Sequence, residues 1–134
     1  MTPATWLKAL ALWLAILVLA VLNGALREMA LIPAVGSFAG LVASGLILSA
    51  LIFLVAFVAL PWFGTLPAAQ WWAVGLGWLL LTLLFEFGFG RVVEHKTWPE
   101  LFEAYTFKGG NIWPLVLLAA LVAPWAAAKA RGVI

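Results

Sequence analysis

The sequence predicts an all-α integral membrane protein: a four-helix bundle with a short amphipathic interfacial helix before its last span. Of its 134 residues, 67% are hydrophobic and 9% are charged, whereas about a quarter of a typical soluble domain is charged. Four apolar stretches are each long enough to cross a hydrocarbon core of roughly 30 Å, for which about 20 helical residues suffice. The spans are predicted at about 6–26, 36–60, 69–90 and 111–128, and the interfacial helix at about 98–107.

The ends of these spans are predicted from polar residues and prolines. The first span continues into Arg27 and Glu28 rather than into a small-residue cleavage site, so we expect it to remain uncleaved. Pro61 has no backbone N–H and is expected to stop the second span. Pro124 is expected to kink the fourth span or to mark an interfacial tail. Because the spans are joined by short connections, the chain is predicted to be a single domain.

The segment between the third and fourth spans is strongly polar. It holds three of the five acidic residues, three of the seven basic residues and the only histidine. Within it, Thr97 and Glu100 match the capping box that begins many helices, and apolar residues follow at helical spacing. A short helix on the membrane surface fits both signals, and Gly109 and Gly110 are expected to end it.

Four crossings would place both termini on one side of the membrane, named here the terminal side. Segments 27–35 and 91–110 would lie on the other side, named here the charged side. Basic residues are nearly balanced between the two, but all five acidic residues fall on the charged side and the α-amino group adds to the terminal side. Since cytoplasmic segments carry an excess of positive charge, both termini are predicted to be cytoplasmic.

Glu86 is a carboxylate within an apolar span. Such a group is costly in hydrocarbon unless it takes a partner, reaches the interface or holds a proton. Arg27 is expected at the same level, so the two could form a clasp between helices. Alternatively, Glu86 faces a cavity and binds a cation, a proton or another ligand. The candidate ligand- or ion-binding residues at this boundary are Glu86, Arg27, Asn23, Glu28, Arg91 and Asn111.

Small residues form a candidate packing stripe. Gly36, Gly40 and Ser44 repeat at intervals of four, which leaves a smooth surface that another helix can approach closely. Packing within the monomer and contact with another chain both remain open. The glycines at 88 and 90 lack the surrounding motif of a phosphate loop and are expected to terminate the third span.

Several function classes are disfavoured by composition. The chain has no cysteine and a single histidine, His95, which is too few donors for zinc or iron, and no cofactor is expected. No basic run is long enough to follow a nucleic-acid backbone. Serines occur without a base predicted within hydrogen-bond reach, so an enzyme is the less favoured class and no catalytic residue is assigned.

Four segments, at 23–28, 85–91, 98–101 and 113–118, resemble the signature segments of an uncharacterised family of small four-span bacterial inner-membrane proteins. The resemblance would cover most of the chain. It implies a four-span fold and a bacterial inner-membrane location, and it supplies no catalytic residue.

These observations together predict a small membrane binding or transport module for an ion, a proton or a small amphiphile, with its polar site at one membrane boundary. The alternative is a non-enzymatic accessory or scaffold subunit of a larger membrane complex. The expected partners are the lipid bilayer and either further copies of the chain or a larger complex, because four spans alone rarely enclose a water-filled path.

Overall fold

Four long helices form the body of the protein. The computed structural model describes residues 2–64, 66–103, 105–106, 108–110 and 112–132. In chain order the elements are α1 (Pro3–Leu26), a π-helical segment (Arg27–Leu31), α2 (Ile32–Val35), α3 (Ser37–Phe63), α4 (Ala68–Val92), α5 (Trp98–Glu103), a 3-10 turn (Lys108–Gly110) and α6 (Trp113–Ala130). Four helical segments, at 3–35, 37–63, 68–92 and 113–130, are long and apolar enough to cross a membrane. The described residues include no strand, which confirms the all-α fold class.

The helices pack as a ring around a core of aromatic and small residues. α6 packs extensively against α3 and α4, α1 packs against α3, and the seam between α1 and α4 is sparser. Trp71, Val74 and Trp78 of α4 are fully buried. Gly75 allows α4 to approach the α6 backbone, because a Cβ atom at this position would overlap the carbonyl oxygen of Leu121. The bulky indoles of α4 therefore pack against the small surface of α6.

The first helix is longer than predicted. The segment 27–35, expected as a loop, is helical. It begins with a widened turn in which the backbone N–H of Ile32 bonds to the carbonyl oxygen of Arg27. Pro33 follows, and a proline ring crowds the carbonyl four residues earlier in a regular α-helix, which a wider turn relieves. The chain reverses at Gly36, whose φ of 91° favours glycine.

Pro61 stands inside α3 rather than at its end, so the predicted stop was wrong. A proline at 61 cannot donate to the carbonyl of Phe57, four residues earlier. Arg131 Nη1 donates to that oxygen at 3.0 Å, and its guanidinium carbon lies 4.9 Å from the centre of the Phe57 ring. Lys8 Nζ donates to the carbonyl oxygen of Trp62 at 2.9 Å. Cations from two other segments thus pair with carbonyls in the last two turns of α3. α6 likewise continues through Pro124 to Ala130.

The surface helix α5 begins with the predicted capping box. The Thr97 backbone N–H donates to Glu100 Oε1 at 3.4 Å, and the Glu100 N–H donates to Thr97 Oγ1 at 3.4 Å. The helix ends at Glu103, earlier than expected and before Gly109 and Gly110. The predicted termination of α4 at glycines 88 and 90 was also wrong, because α4 continues to Val92. Gly90 instead receives Leu101, whose side chain would collide with a Cβ atom there.

Candidate ligand cavity

A cavity of about 420 Å³ lies between the four long helices in the charged-side half of the bundle. Its deeper wall is apolar and is built by Ile16, Leu48, Ile52, Val116, Leu117 and Ala120. Its polar end is lined by Asn23 and Arg27 of the first helix, Glu86 of α4, and Glu94 and Lys96 of the following loop. The residues that line the cavity are therefore apolar at its deeper end and charged at the end near the membrane boundary.

Asn23 contributes an unpaired polar atom to this cavity. Its residue surface is 5% exposed, and its Oδ1 accepts a hydrogen bond from Ser44 Oγ at 2.5 Å. Among the described residues, its Nδ2 has no hydrogen-bond partner. A buried donor without a partner costs about 1–3 kcal/mol, so an acceptor placed beside Asn23 would be favoured.

Glu86 lies half-buried at the polar end, about two helical turns before the end of α4. Within the described part of the chain, the ion pairs are Arg27 Nε to Glu28 Oε1 at 3.1 Å and Lys96 Nζ to Glu94 Oε1 at 3.6 Å. Arg27 and Glu86 line the same cavity, but the clasp between them is not among these pairs. Arg27 and Lys96 each have a carboxylate partner, whereas Glu86 has no cation partner among the described residues.

The remaining candidates lie outside the cavity lining. Glu28 is exposed and faces Arg27. Arg91 Nη1 donates to the carbonyl oxygen of Lys96 at 2.9 Å, and its guanidinium carbon lies 5.0 Å from the ring centre of Trp98. Arg91 therefore holds the loop and the surface helix in place. Asn111 lies outside the described residues. Of the six predicted residues, the structure brings Asn23, Arg27 and Glu86 together.

The small-residue stripe is used within the chain at two of its three positions. Gly40 is buried, and a Cβ atom there would lie 2.8 Å from the side chain of Ile32. Ser44 is buried and bonds to Asn23. Gly36 is exposed, and a Cβ atom there would have no other heavy atom within 4 Å. Gly36 thus does not pack within the described part of the chain, its packing against another chain stays a prediction, and its positive φ explains its presence at the reversal.

Glu94 and Lys96 line the cavity although the sequence analysis did not select them. The chain reverses after α4 at His95, which has a φ of 55°. The Lys96 backbone N–H then donates to the carbonyl oxygen of Gly90 at 2.8 Å, which folds the loop back over the helix end. A left-handed backbone at a non-glycine residue has weak sequence signals, so this reversal was hidden from pattern analysis.

Aromatic residues complete the cavity wall and close it towards the terminal side. Trp13, Phe85 and Trp113 line it. Trp13 Nε1 donates to Thr82 Oγ1 at 3.0 Å. One turn deeper, Trp78 Nε1 donates to the carbonyl oxygen of Ala9 at 2.9 Å. These two indole hydrogen bonds join α1 to α4 where their packing is sparse.

Tyr105 lies near the polar end, with its ring stacked on Phe87 at a centroid distance of 5.8 Å. Burial raises the pKa of the Tyr105 phenol above its usual value of 10.0, a side-chain hydrogen bond from Trp113 acts in the opposite direction, and the Glu86 charge raises the pKa further. The phenol is therefore neutral at physiological pH, and it reports on the charge of Glu86.

Comparison of the chain with family models, curated proteins and solved structures gives no match in any of the three. The resemblance to small four-span bacterial proteins thus stays a prediction, and the function must be argued from the cavity itself.

Proposed function

We propose that this protein binds a small amphiphile within the bilayer, with the apolar body of the ligand in the cavity and its polar group at the charged side. The observation that carries the proposal is the Asn23 amide: the residue lines a cavity formed by all four spans, is 5% exposed and, among the described residues, has a buried Nδ2 without a hydrogen-bond partner. A group buried at this cost is explained most directly by a ligand that supplies the missing acceptor.

The shape and polarity of the cavity favour an amphiphile over a bare ion. A volume of about 420 Å³ is within the roughly 300–1,000 Å³ range of small-molecule sites, which are mostly apolar with a few placed polar groups. An inorganic cation would need several oxygen ligands. Among the lining side chains, Glu94 is paired with Lys96, the Asn23 carbonyl oxygen accepts from Ser44 and Thr82 Oγ1 accepts from Trp13. This leaves Glu86 as the lining carboxylate outside an ion pair within the described residues, which is too few oxygen ligands for a bare ion. A proton alone would not require the apolar depth.

Binding is favoured over conduction because the cavity is closed towards the terminal side. The Trp13–Thr82 and Trp78–Ala9 hydrogen bonds join α1 to α4 beyond it. The buried core around Trp71 and Trp78 lies on this side of the cavity. The accessory-subunit alternative depended on the small-residue stripe and on exposed aromatic residues, and two residues of that stripe, Gly40 and Ser44, are already packed inside the chain. For location we propose a bacterial inner membrane with both termini in the cytoplasm, on the resemblance and the charge distribution.

The test fills the cavity and leaves the rest of the protein unchanged. Gly24 lines the cavity, and a Cβ atom there would meet only the end of the Arg27 side chain, at 3.7 Å. Gly24→Leu should therefore place bulk in the cavity without a backbone clash. Gly88 is the matched control, because it lies within α4 outside the cavity lining and a Cβ atom there meets nothing within 4 Å.

The probes are octyltrimethylammonium, octanol and octyl sulfate, measured by equilibrium dialysis against protein in nanodiscs, with empty nanodiscs subtracted. We expect Gly24→Leu to weaken binding of at least one probe by about ten-fold, a loss of roughly 1.4 kcal/mol, and Gly88→Leu to leave it unchanged. Equal binding of all three probes to the wild type and to Gly24→Leu would overturn the proposal.

A further inference from the structure

We infer that the cavity selects an organic ammonium compound: a positively charged nitrogen attached to an apolar body, together with a hydrogen-bond acceptor. This inference rests on the proposed function and names its ligand class. It is carried by the distribution of charge around the cavity and by the aromatic residues that line it.

Counted together with the ion-pair partners of its two cations, the polar end of the cavity carries three carboxylates and two cations. Arg27 is paired with Glu28, and Lys96 is paired with Glu94. Glu86 lines the same cavity. Among the residues that the structure describes, it belongs to neither of these ion pairs and makes no hydrogen bond. A buried carboxylate favours a cation beside it. The two ion pairs are partly exposed and therefore weak, so the preference for a cation comes from the additional carboxylate of Glu86.

The aromatic wall favours an alkylated nitrogen over a compact, strongly hydrated ion. Trp13 and Phe85 meet edge to face with their ring centres 6.4 Å apart, and both line the cavity with Trp113. Aromatic faces attract ammonium groups, and the attraction grows when the cation is desolvated. An alkylammonium sheds its water more readily than a metal ion and places its carbon substituents against the apolar wall.

The acceptor requirement comes from Asn23. Its Nδ2 is a donor without a partner, so a ligand that carried charge alone would leave this donor unpaired. A hydroxyl, ether or carbonyl oxygen on the ligand would satisfy it, while the nitrogen is held by Glu86. Two complementary groups on one molecule give selectivity against compounds that have either group alone.

The experiment compares headgroups on one chain length and then removes the charge. In wild-type nanodiscs, the octyl ether of choline, which carries both an ammonium nitrogen and an ether oxygen, should bind about ten-fold more tightly than octanol or octyl sulfate, and more tightly than octyltrimethylammonium, which has no acceptor for Asn23. Glu86→Gln should abolish this preference over octanol, whereas Glu86→Asp should retain most of it. Glu103→Gln removes the same charge from α5, outside the cavity lining, and should keep the preference.

The outcomes separate this inference from the proposed function. If octanol binding is sensitive to Gly24→Leu but the ammonium probe binds no better than octanol, the ligand class is wrong and the amphiphile site remains. If no probe is sensitive to Gly24→Leu, both are wrong. If Glu86→Gln keeps the ammonium preference, the assignment to Glu86 is overturned. The headgroup comparison uses the wild type, so it decides the ligand class even if a variant does not fold.

Discussion

The two halves of the bundle are built from the same helices but differ sharply in packing. In the terminal-side half of α4, Trp71, Val74, Gly75 and Trp78 are buried. From residue 79 to residue 89, in the charged-side half, no residue of α4 is buried. α6 shows the same contrast in another form, because the alanines at 123, 127 and 128 are buried in the terminal-side half, whereas the cavity opens beside its first turns.

This contrast indicates that the two halves of the bundle have different roles. The terminal-side half has close backbone approach, large buried indoles and carbonyls paired with Lys8 and Arg131. Among its described residues, the charged-side half has an amide with an unpaired Nδ2 and a carboxylate without an ion pair. Unpaired buried polar groups reduce the stability of the fold and favour binding of a ligand. Close packing in the terminal-side half therefore offsets the cost of the unpaired groups in the charged-side half.

The largest expected effect comes from breaking the close approach in the terminal-side half. Gly75→Ala places a Cβ atom against the Leu121 carbonyl oxygen, and because a backbone atom cannot move aside alone, α4 and α6 must separate. We expect a loss of about 3 kcal/mol or more in unfolding free energy, at the upper end of overpacking effects. Denaturant titration in mixed micelles measures it.

Gly88→Ala is the control in the open half of the same helix. It should change stability by no more than about 1 kcal/mol, in the stabilising direction, because alanine is the better helix former. Equal stability of Gly75→Ala and the wild type would show that the two helices are not in backbone contact.

A smaller loss is expected from removing the hydrogen bond in the charged-side half. Ser44→Ala takes away the donor to Asn23 Oδ1 and leaves both polar atoms of the buried amide unpaired, at a cost of about 1–3 kcal/mol. The double variant Asn23→Leu with Ser44→Ala removes both polar groups and should recover most of this loss. No recovery in the double variant would indicate that Asn23 stabilises the bundle through other contacts.

The contrast between the halves was only partly predictable from sequence. Four spans follow from apolar length, and the capping box at Thr97 fixed the start of α5, because both signals are local. Glu86, Arg27 and Asn23 were selected because polar residues are rare in such a chain. Their position at one boundary was predicted from the four crossings. The return of Lys96 over Gly90 depends on a backbone reversal at His95 that no residue type requires.

Pro61 also shows that local sequence signals do not predict tertiary contacts. Pro61 was expected to stop a helix, since its missing donor is a local fact. The compensation comes from Arg131, 70 positions later, whose donation to the Phe57 carbonyl is a tertiary contact. The sequence thus shows that Pro61 lacks a backbone donor, and only the fold shows that Arg131 replaces it.

The hydrogen bond from Arg131 to the Phe57 carbonyl oxygen gives the third prediction. Arg131→Ala should cost about 0.5–1.5 kcal/mol, the usual contribution of one hydrogen bond, because it leaves the Phe57 carbonyl without its donor. In a Pro61→Ala background, the restored backbone N–H can bond to that carbonyl, and Arg131→Ala should cost less. A double-mutant cycle measures the coupling. Equal costs in the two backgrounds would show that Arg131 acts through the Phe57 ring alone.

The smallest effect is a titration shift that reports on the charged-side half. Tyr105 is the only tyrosine, so the phenolate absorbance follows one group. Burial, and then the Glu86 charge, raise its pKa above 10.0, so Glu86→Gln should lower the Tyr105 pKa while burial keeps it above the usual value. The folded chain holds this proton more tightly than the unfolded chain, so stability should fall as the pH rises from 10 through the folded-state pKa. Glu28→Gln is the control, because Glu28 is not among the groups that shift Tyr105. An unchanged Tyr105 pKa in Glu86→Gln would place Glu86 away from the polar end, and the charged-side half would lose the carboxylate on which its selectivity depends.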